Sequence, residues 1–355
     1  MTRRGATLVS LALLACMCML APASATAATP QLLRVVAVYP ATRGAIAGDA
    51  AFTVRFSQPL ARSQPVAPTL LPRLAGRWRQ VGPRTLRFFA ASGFAPGTKV
   101  TLTVPKGLRA AAGGTLYHPV LERYVVGEPS TVRLVQLLAT LGYLPVHLVS
   151  AQNPPADDLR AQMRALYSPP RGRLVIGRGW PASLRSLWTG QRALVIRGAV
   201  MDFQSQRGLP MTGVLTPTLW SALVSALVHR QYNHAGYTYA VASEASPETL
   251  TLYHNGAVVL HTLANTGISV SPTALGTYPV YERLRSQVMQ GINPNGVPYA
   301  DPVQFVSYFN GGDAVHYMPR AAYGYPQSLG CIELPYAAAA RAWGYITYGT
   351  LVTVI

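Results

Sequence analysis

The chain has 355 residues, enough for two or three domains at roughly 100–200 residues each. Half of it is apolar and only 12% is charged, which excludes a disordered chain and fits folded, core-forming domains. Its net charge of +18 rests almost wholly on arginine, Lys99 and Lys106 being the only lysines, and such an excess draws a protein to polyanions.

Taken in chain order, the first feature is an export signal over 1–28. Arg3 and Arg4 precede a mostly apolar run, Ala6–Leu20, and Pro22 breaks it before the small residues Ala23-Ser24-Ala25 and Ala25-Thr26-Ala27. The run is shorter than the ~20 apolar residues of a spanning helix; an uncleaved N-terminal anchor is the alternative. Export places the protein in the cell envelope and turns its basic charge toward anionic cell-wall polymers. Nucleic acid is disfavoured, since no reader motif is present. Cys16 and Cys18 leave with the signal, so Cys331 remains alone. It is either a buried small residue or a reactive thiol.

Residues 29–128 read as all-β. Leu33–Tyr39, Ala51–Phe56, Thr85–Ala90, Lys99–Val104 and Leu121–Val126 are short runs separated by turn residues. Phe52, Val54 and Phe56 alternate with Thr53 and Arg55, and Val100, Leu102 and Val104 with Thr101 and Thr103, as a half-buried strand requires. The expected fold is a β-sandwich. The segment resembles the bacterial immunoglobulin-like modules of envelope proteins, which implies a spacer or a platform for substrate.

Residues 129–230 read as helical. Leu134, Leu137, Leu138 and Leu141 share one face, as do Ile196, Ala199, Val200 and Phe203, and then Trp220, Leu223, Val224 and Leu227. Gly142 and Gly208 are the stops, and Thr216-Pro217 is an N-cap with proline at the first helical position. The wording of 132–143 (VRLVQLLATLGY) and 198–223 (GAVMDFQSQRGLPMTGVLTPTLWSAL) resembles the two halves of the common peptidoglycan-binding module. An insertion over 145–196 with Pro154-Pro155 and Pro169-Pro170 separates them. The resemblance implies binding of wall glycan and peptide, and the insertion opens the alternative of a scaffold.

Residues 236–355 read as mostly β. Strands are expected at Tyr237–Ala242, Thr249–Tyr253, Val258–Leu263, Thr277–Tyr281 and Leu351–Ile355, with Asn255-Gly256 as a hairpin turn and one helix at Ala337–Tyr345. His316 precedes Ser328-Leu329-Gly330-Cys331. A thiol is little ionised at neutral pH and becomes a nucleophile when a nearby imidazole takes its proton. Gly330 permits close backbone approach, and the amides around Cys331 can face a developing oxyanion.

Thr266-Gly267, Pro272-Thr273-Ala274-Leu275-Gly276, His316, Ser328-Leu329-Gly330-Cys331 and Gly349-Thr350-Leu351-Val352 together resemble the L,D-transpeptidase (YkuD-type) catalytic domain over roughly the last 115 residues. The whole therefore reads as multidomain: an immunoglobulin-like β-sandwich, a small helical peptidoglycan-binding-like domain and a mostly-β catalytic domain.

The resemblance implies a cysteine acyltransferase with Cys331 as nucleophile and His316 as base, needing no cofactor or metal. Its partners would be peptidoglycan stem peptides and glycan, and carbapenem-type compounds would inhibit it. Four positions depart from the family pattern. Leu329 stands for a second histidine, so His316 would act alone, oriented by a backbone carbonyl. Glu333 stands for Arg or Asn and would favour a cationic group on the stem. Ala274 stands for a proline, and Tyr317 for a glycine, where it would narrow the cleft.

Other residues keep two readings each. Ser328 either shapes the oxyanion site or bonds within its loop. Tyr308 to Gly312 is a flap or an ordinary strand and turn. Arg341 pairs with Glu333 or a substrate carboxylate, or is solvated. The competing functions are a carboxypeptidase on the same site and a non-catalytic wall-binding scaffold. A papain-like hydrolase is excluded by order, since no histidine follows Cys331.

Overall fold

A computed structural model of the chain describes residues 32–41, 44–151 and 153–355. The expected export signal lies outside the described residues.

The first unit is two facing antiparallel sheets. One has the order β1 (Val35–Tyr39), β2 (Thr53–Phe56), β5 (Thr85–Ala90), β4 (Gly76–Gly82); the other runs β3 (Thr69–Leu71), β6 (Lys99–Val104), β7 (Val120–Val125). The alternation seen in the sequence puts Phe52, Val54, Phe56, Phe88, Val100, Leu102 and Val104 into one core between them. Two strands beyond those expected, β3 and β4, complete the sheets.

The second unit contains α1 (Thr131–Thr140), β8 (Val146–Ser150), α2 (Leu159–Tyr167), β9 (Gly172–Ile176), α3 (Ala182–Gly190), α4 (Arg192–Gln206) and α5 (Pro217–Val228). The insertion is thus two further helices and an antiparallel strand pair, β8 and β9, with α2 connecting its strands. The three expected apolar stripes meet in a core with Trp180, Leu184 and Trp188 from the insertion. The Thr216 hydroxyl accepts from the Leu219 amide at 3.1 Å, as an N-cap should. The residues that carry the resemblance in this unit serve its interior. Tyr143 packs edge-on against Phe203, with ring centroids 5.2 Å apart. The buried Gln204 amide group accepts from Gly213 N at 2.8 Å and donates to Val214 O and Thr212 Oγ1 at 3.3 Å, holding the Thr-Gly loop.

The third unit has two sheets and one helix. The first sheet is β12 (Ala257–Leu263), β11 (Thr249–His254), β10 (Thr238–Ser243), β18 (Leu351–Val354), β13 (Gly276–Pro279). The second is β14 (Glu282–Ile292), β15 (Pro298–Asn310), β16 (Asp313–Tyr317), β17 (Ile332–Leu334). Only β10–β18 and β16–β17 pair in parallel in this unit. The turn between β11 and β12 has Asn255 and Gly256 at φ 50° and 84°, the left-handed pair that a tight hairpin needs. α6 (Tyr336–Tyr345) packs Ala338, Ala339 and Ala342 into the core formed with Ala240, Leu252, Phe305, Ile332 and Val352.

The second and third units share an interior: Tyr239 and Leu351 of the third sit in the helical core of the second. Gly198 of α4 meets Gly349 ahead of β18 so closely that a Cβ on either would collide with the other's carbonyl oxygen. Gly179 and Gly256 make a similar contact, a Cβ on Gly179 striking the Gly256 oxygen. Among the described residues no helix is long and apolar enough to cross a membrane.

Candidate active site

The strand pair β16–β17 builds the site. Its parallel register sets Val315 beside Ile332, His316 beside Glu333 and Tyr317 beside Leu334. Side chains alternate across a strand, so Val315, Ile332, Leu334 and Tyr317 turn into the core. His316, Glu333 and Cys331 line the opposite side, a cleft of about 660 Å³. Other lining residues are Tyr308, Gly312, Asp313, Arg320, Ser328 and Leu329, with Gln287, Met289, Tyr299 and Asp301 from the long β14–β15 hairpin.

His316 is 3% exposed. Its Nδ1 lies 3.0 Å from the Tyr317 carbonyl oxygen, which can only accept, so Nδ1 carries the proton and Nε2 is left as the acceptor. Burial holds its pKa below the ordinary imidazole value, against the opposing influence of that hydrogen bond and of Glu333 and Asp301. Cys331 is half-buried, with Sγ 3.7 Å from the Gly312 oxygen. Desolvation, reinforced by the charges of Asp313 and Glu333, pushes its thiol up to about 12, although the Ala314 amide works the other way. Both shifts favour the uncharged forms, a neutral thiol and a neutral imidazole, on the same cleft.

The loop carrying Cys331 is clamped from two sides. Residues 264–273, which hold the Thr-Gly and Pro-Thr pairs noted in the sequence, run beneath it. Gln327 N and Ser328 N both donate to Thr266 O, Ile268 N donates to Ser328 O, and Ser271 Oγ donates to Leu329 O at 3.0 Å. Gly267 N is held by Thr273 Oγ1 at 2.8 Å and Thr266 N by the buried Glu248 carboxylate at 2.6 Å. Ser328 takes its intraloop reading. Its hydroxyl donates to Cys331 O at 2.6 Å and accepts from Gly330 N at 3.2 Å. The Gly330 amide is thereby engaged within the loop and does not face the cleft as an oxyanion donor. Gly330 has φ 118°, and an added Cβ would strike Asp313 Oδ1, so only glycine fits there.

Two expectations are corrected. Tyr317 does not narrow the cleft, because strand alternation turns its ring to Tyr336, 5.1 Å between centroids; its carbonyl is what reaches the site. Glu333 is not free for a cationic substrate group. It is 3% exposed and both its oxygens are taken by Arg320, Nε to Oε2 at 2.8 Å and Nη2 to Oε1 at 2.6 Å. Arg341 takes its solvated reading: it is exposed and makes no pair with Glu333. Tyr308 lies within β15 as ordinary strand, its hydroxyl donating to Gln287 Oε1 at 2.9 Å. Arg320, Asp301 and Asp313 went unnoticed in the sequence, where nothing marks them. Among the described residues no group of three His, Cys, Asp or Glu gathers to hold a metal.

A thiol and an imidazole opening on one cleft, the ring pinned with its acceptor nitrogen free, is an arrangement suited to covalent acyl chemistry. Residues 237–354 match the family model of the L,D-transpeptidase catalytic domain, YkuD. No curated protein matches the chain. Solved structures similar to it include an L,D-transpeptidase from Mycobacterium smegmatis, 16% identical over 92% of this chain and 100% of that one, TM-score 0.31. L,D-transpeptidase 3 from Mycobacterium tuberculosis with a faropenem-derived adduct is 16% identical over 90% and 97%, TM-score 0.30. The catalytic domain of the Enterococcus faecium L,D-transpeptidase is 26% identical over 35% of this chain and all of that one, TM-score 0.31.

Proposed function

We propose that the chain is an exported peptidoglycan L,D-transpeptidase. The observation that carries the reading is the presentation of Cys331 and His316 to one cleft by neighbouring strands, within the segment that matches the family model. The thiol is too weak an acid to ionise unaided, so His316 Nε2 takes its proton as sulfur attacks. The electrophile is the carbonyl joining the diamino acid of a tetrapeptide stem to its terminal D-alanine. The S–C bond forms, the C–N bond breaks, His316 returns the proton to the departing amine, and a thioester remains. A side-chain amine of a second stem then attacks the thioester, forming the cross-link and releasing the thiol. Water as acceptor gives carboxypeptidase activity instead. Tyr308, Leu329 and the β14–β15 hairpin line the cleft and contact the stem.

In this reading the helical unit binds wall glycan and peptide, the two-sheet unit is a spacer or a platform for substrate, and the basic charge of the whole draws it to anionic cell-wall polymers. Both the immunoglobulin-like and the peptidoglycan-binding assignments rest on sequence resemblance.

The test is incubation of the pure protein with a tetrapeptide stem and mass analysis of products. Release of D-alanine and a cross-linked dimer are expected, and Cys331→Ala loses both. A carbapenem adds one adduct, on the peptide holding Cys331. Turnover by Cys331→Ala would sink the reading.

A further inference from the structure

We propose that Arg320 is a positioning residue for the base: by spanning both oxygens of buried Glu333 it cancels a negative charge one strand away from His316, and so keeps the imidazole uncharged and able to accept the thiol proton. The inference rests on the reading of His316 as base.

The geometry runs through three residues. His316 and Glu333 are register partners in parallel strands, so their side chains leave the sheet on the same face, and both line the same cleft. Glu333 is locked there. Its backbone exchanges hydrogen bonds with Asn265, N to O at 2.9 Å and O from N at 3.0 Å, and Asn265 Nδ2 lies 3.4 Å from Oε2. A carboxylate so buried is costly unless a cation meets it. Arg320 meets it in a two-pronged pair, 29% exposed at the cleft wall while the Glu333 side chain is 4% exposed. The charged groups acting on His316 are Glu333 and Asp301, which favour its charged form, and Arg320, which opposes it. Asp301, across the cleft on β15, makes no ion pair among the described residues.

The resembled family places Arg or Asn two residues after the cysteine. In this chain the acid sits there, and the cation comes from 13 positions upstream along the chain, Arg320 lying in the segment between β16 and the cysteine loop. Removing the cation alone should leave a naked carboxylate beside the base, which draws a proton onto the imidazole and blocks it. Removing both should restore neutrality.

Ring-nitrogen NMR titration of the full-length protein reads His316 directly, its signal assigned by loss in His316→Gln among seven histidines. Arg320→Gln is expected to raise the His316 pKa by at least one unit, a tenfold gain in proton affinity, and Arg320→Gln/Glu333→Gln to return it to the wild-type value. Glu333→Gln alone, which leaves Arg320 uncompensated, moves it down, and this arm decides the matter should Arg320→Gln not fold. An unmoved His316 in Arg320→Gln, the same rise in the double variant, or a rise in Glu333→Gln would overturn the inference. The titration needs no substrate. Absence of tetrapeptide turnover in the wild type would therefore strike the functional reading and leave this result standing.

Discussion

Cys331 is the residue whose chemistry is set most plainly by its surroundings. With the thiol pushed up to about 12, the thiolate fraction at pH 7 is negligible, and a reagent that waits for free thiolate reacts slowly. Alkylation of the wild type by iodoacetamide should keep rising with pH past 9, with no plateau near neutrality. A plateau near pH 7 would mean a resting thiolate–imidazolium pair. The cysteine and histidine were legible in the sequence because they sit in a multi-part motif. Glu333 was legible as a departure, but its meaning was not. Its partner Arg320 sits in the loop segment Met318-Pro319-Arg320, where no periodicity points to a distant carboxylate, and an exposed arginine and an ion-paired one read alike.

At the scale of elements, alternation made β2 and β6 readable, and 3.6-residue spacing made α1, α4 and α5 readable. The β14–β15 hairpin escaped because its strands carry Ser, Gln, Arg and Gly, are largely exposed over much of their length, and contain Pro298 and Pro302. α2 and α3 escaped because each is nine residues long, and the proline pairs on either side of α2 read as loop. The first sheet offers a prediction of its own. β1, β2, β4 and β5 contain no acidic residue, and their outward face carries Arg55, Arg77, Arg79 and Arg87. Arg79 and Arg87 lie directly opposite each other, a pairing that costs stability. Both guanidiniums sit over the Phe89 ring, at 5.5 and 5.7 Å. Binding to a polyol-phosphate polymer should weaken with salt, and Arg79→Gln/Arg87→Gln should flatten the log–log slope by roughly 1–2. Arg160→Gln/Arg341→Gln, the same charge removed from exposed sites elsewhere, should do less. Equal effects would remove this sheet from consideration as the docking face.

For the molecule as a whole, the joint between helical and catalytic units carries a titrating group. Asp202 of α4 lines a small pocket with Tyr237, Thr347 and Gly349 and accepts from Gln206 Nε2 at 3.1 Å. Burial raises its pKa to about 6, against ~3.9 in an unfolded chain. The native state thus holds this proton more tightly than the unfolded state. The stabilisation is complete below about pH 4 and is lost as pH climbs through 6, amounting to about 3 kcal/mol. Asp202→Asn should flatten the melting temperature between pH 4 and 7 relative to wild type and raise it at neutrality. Parallel pH profiles for the two proteins would contradict this.

The paired glycines at that joint carry a further consequence. Where two backbones touch with no side chain between them, as at Gly198 and Gly349, there is no spare length of tether for the halves to swing apart and rejoin. Tyr239 and Leu351 complete the helical interior from the far side. A fragment started at residue 237 would therefore expose two large apolar side chains that its own sheet cannot cover. An excised 237–354 piece should therefore aggregate, and adding 129–236 in trans should rescue it.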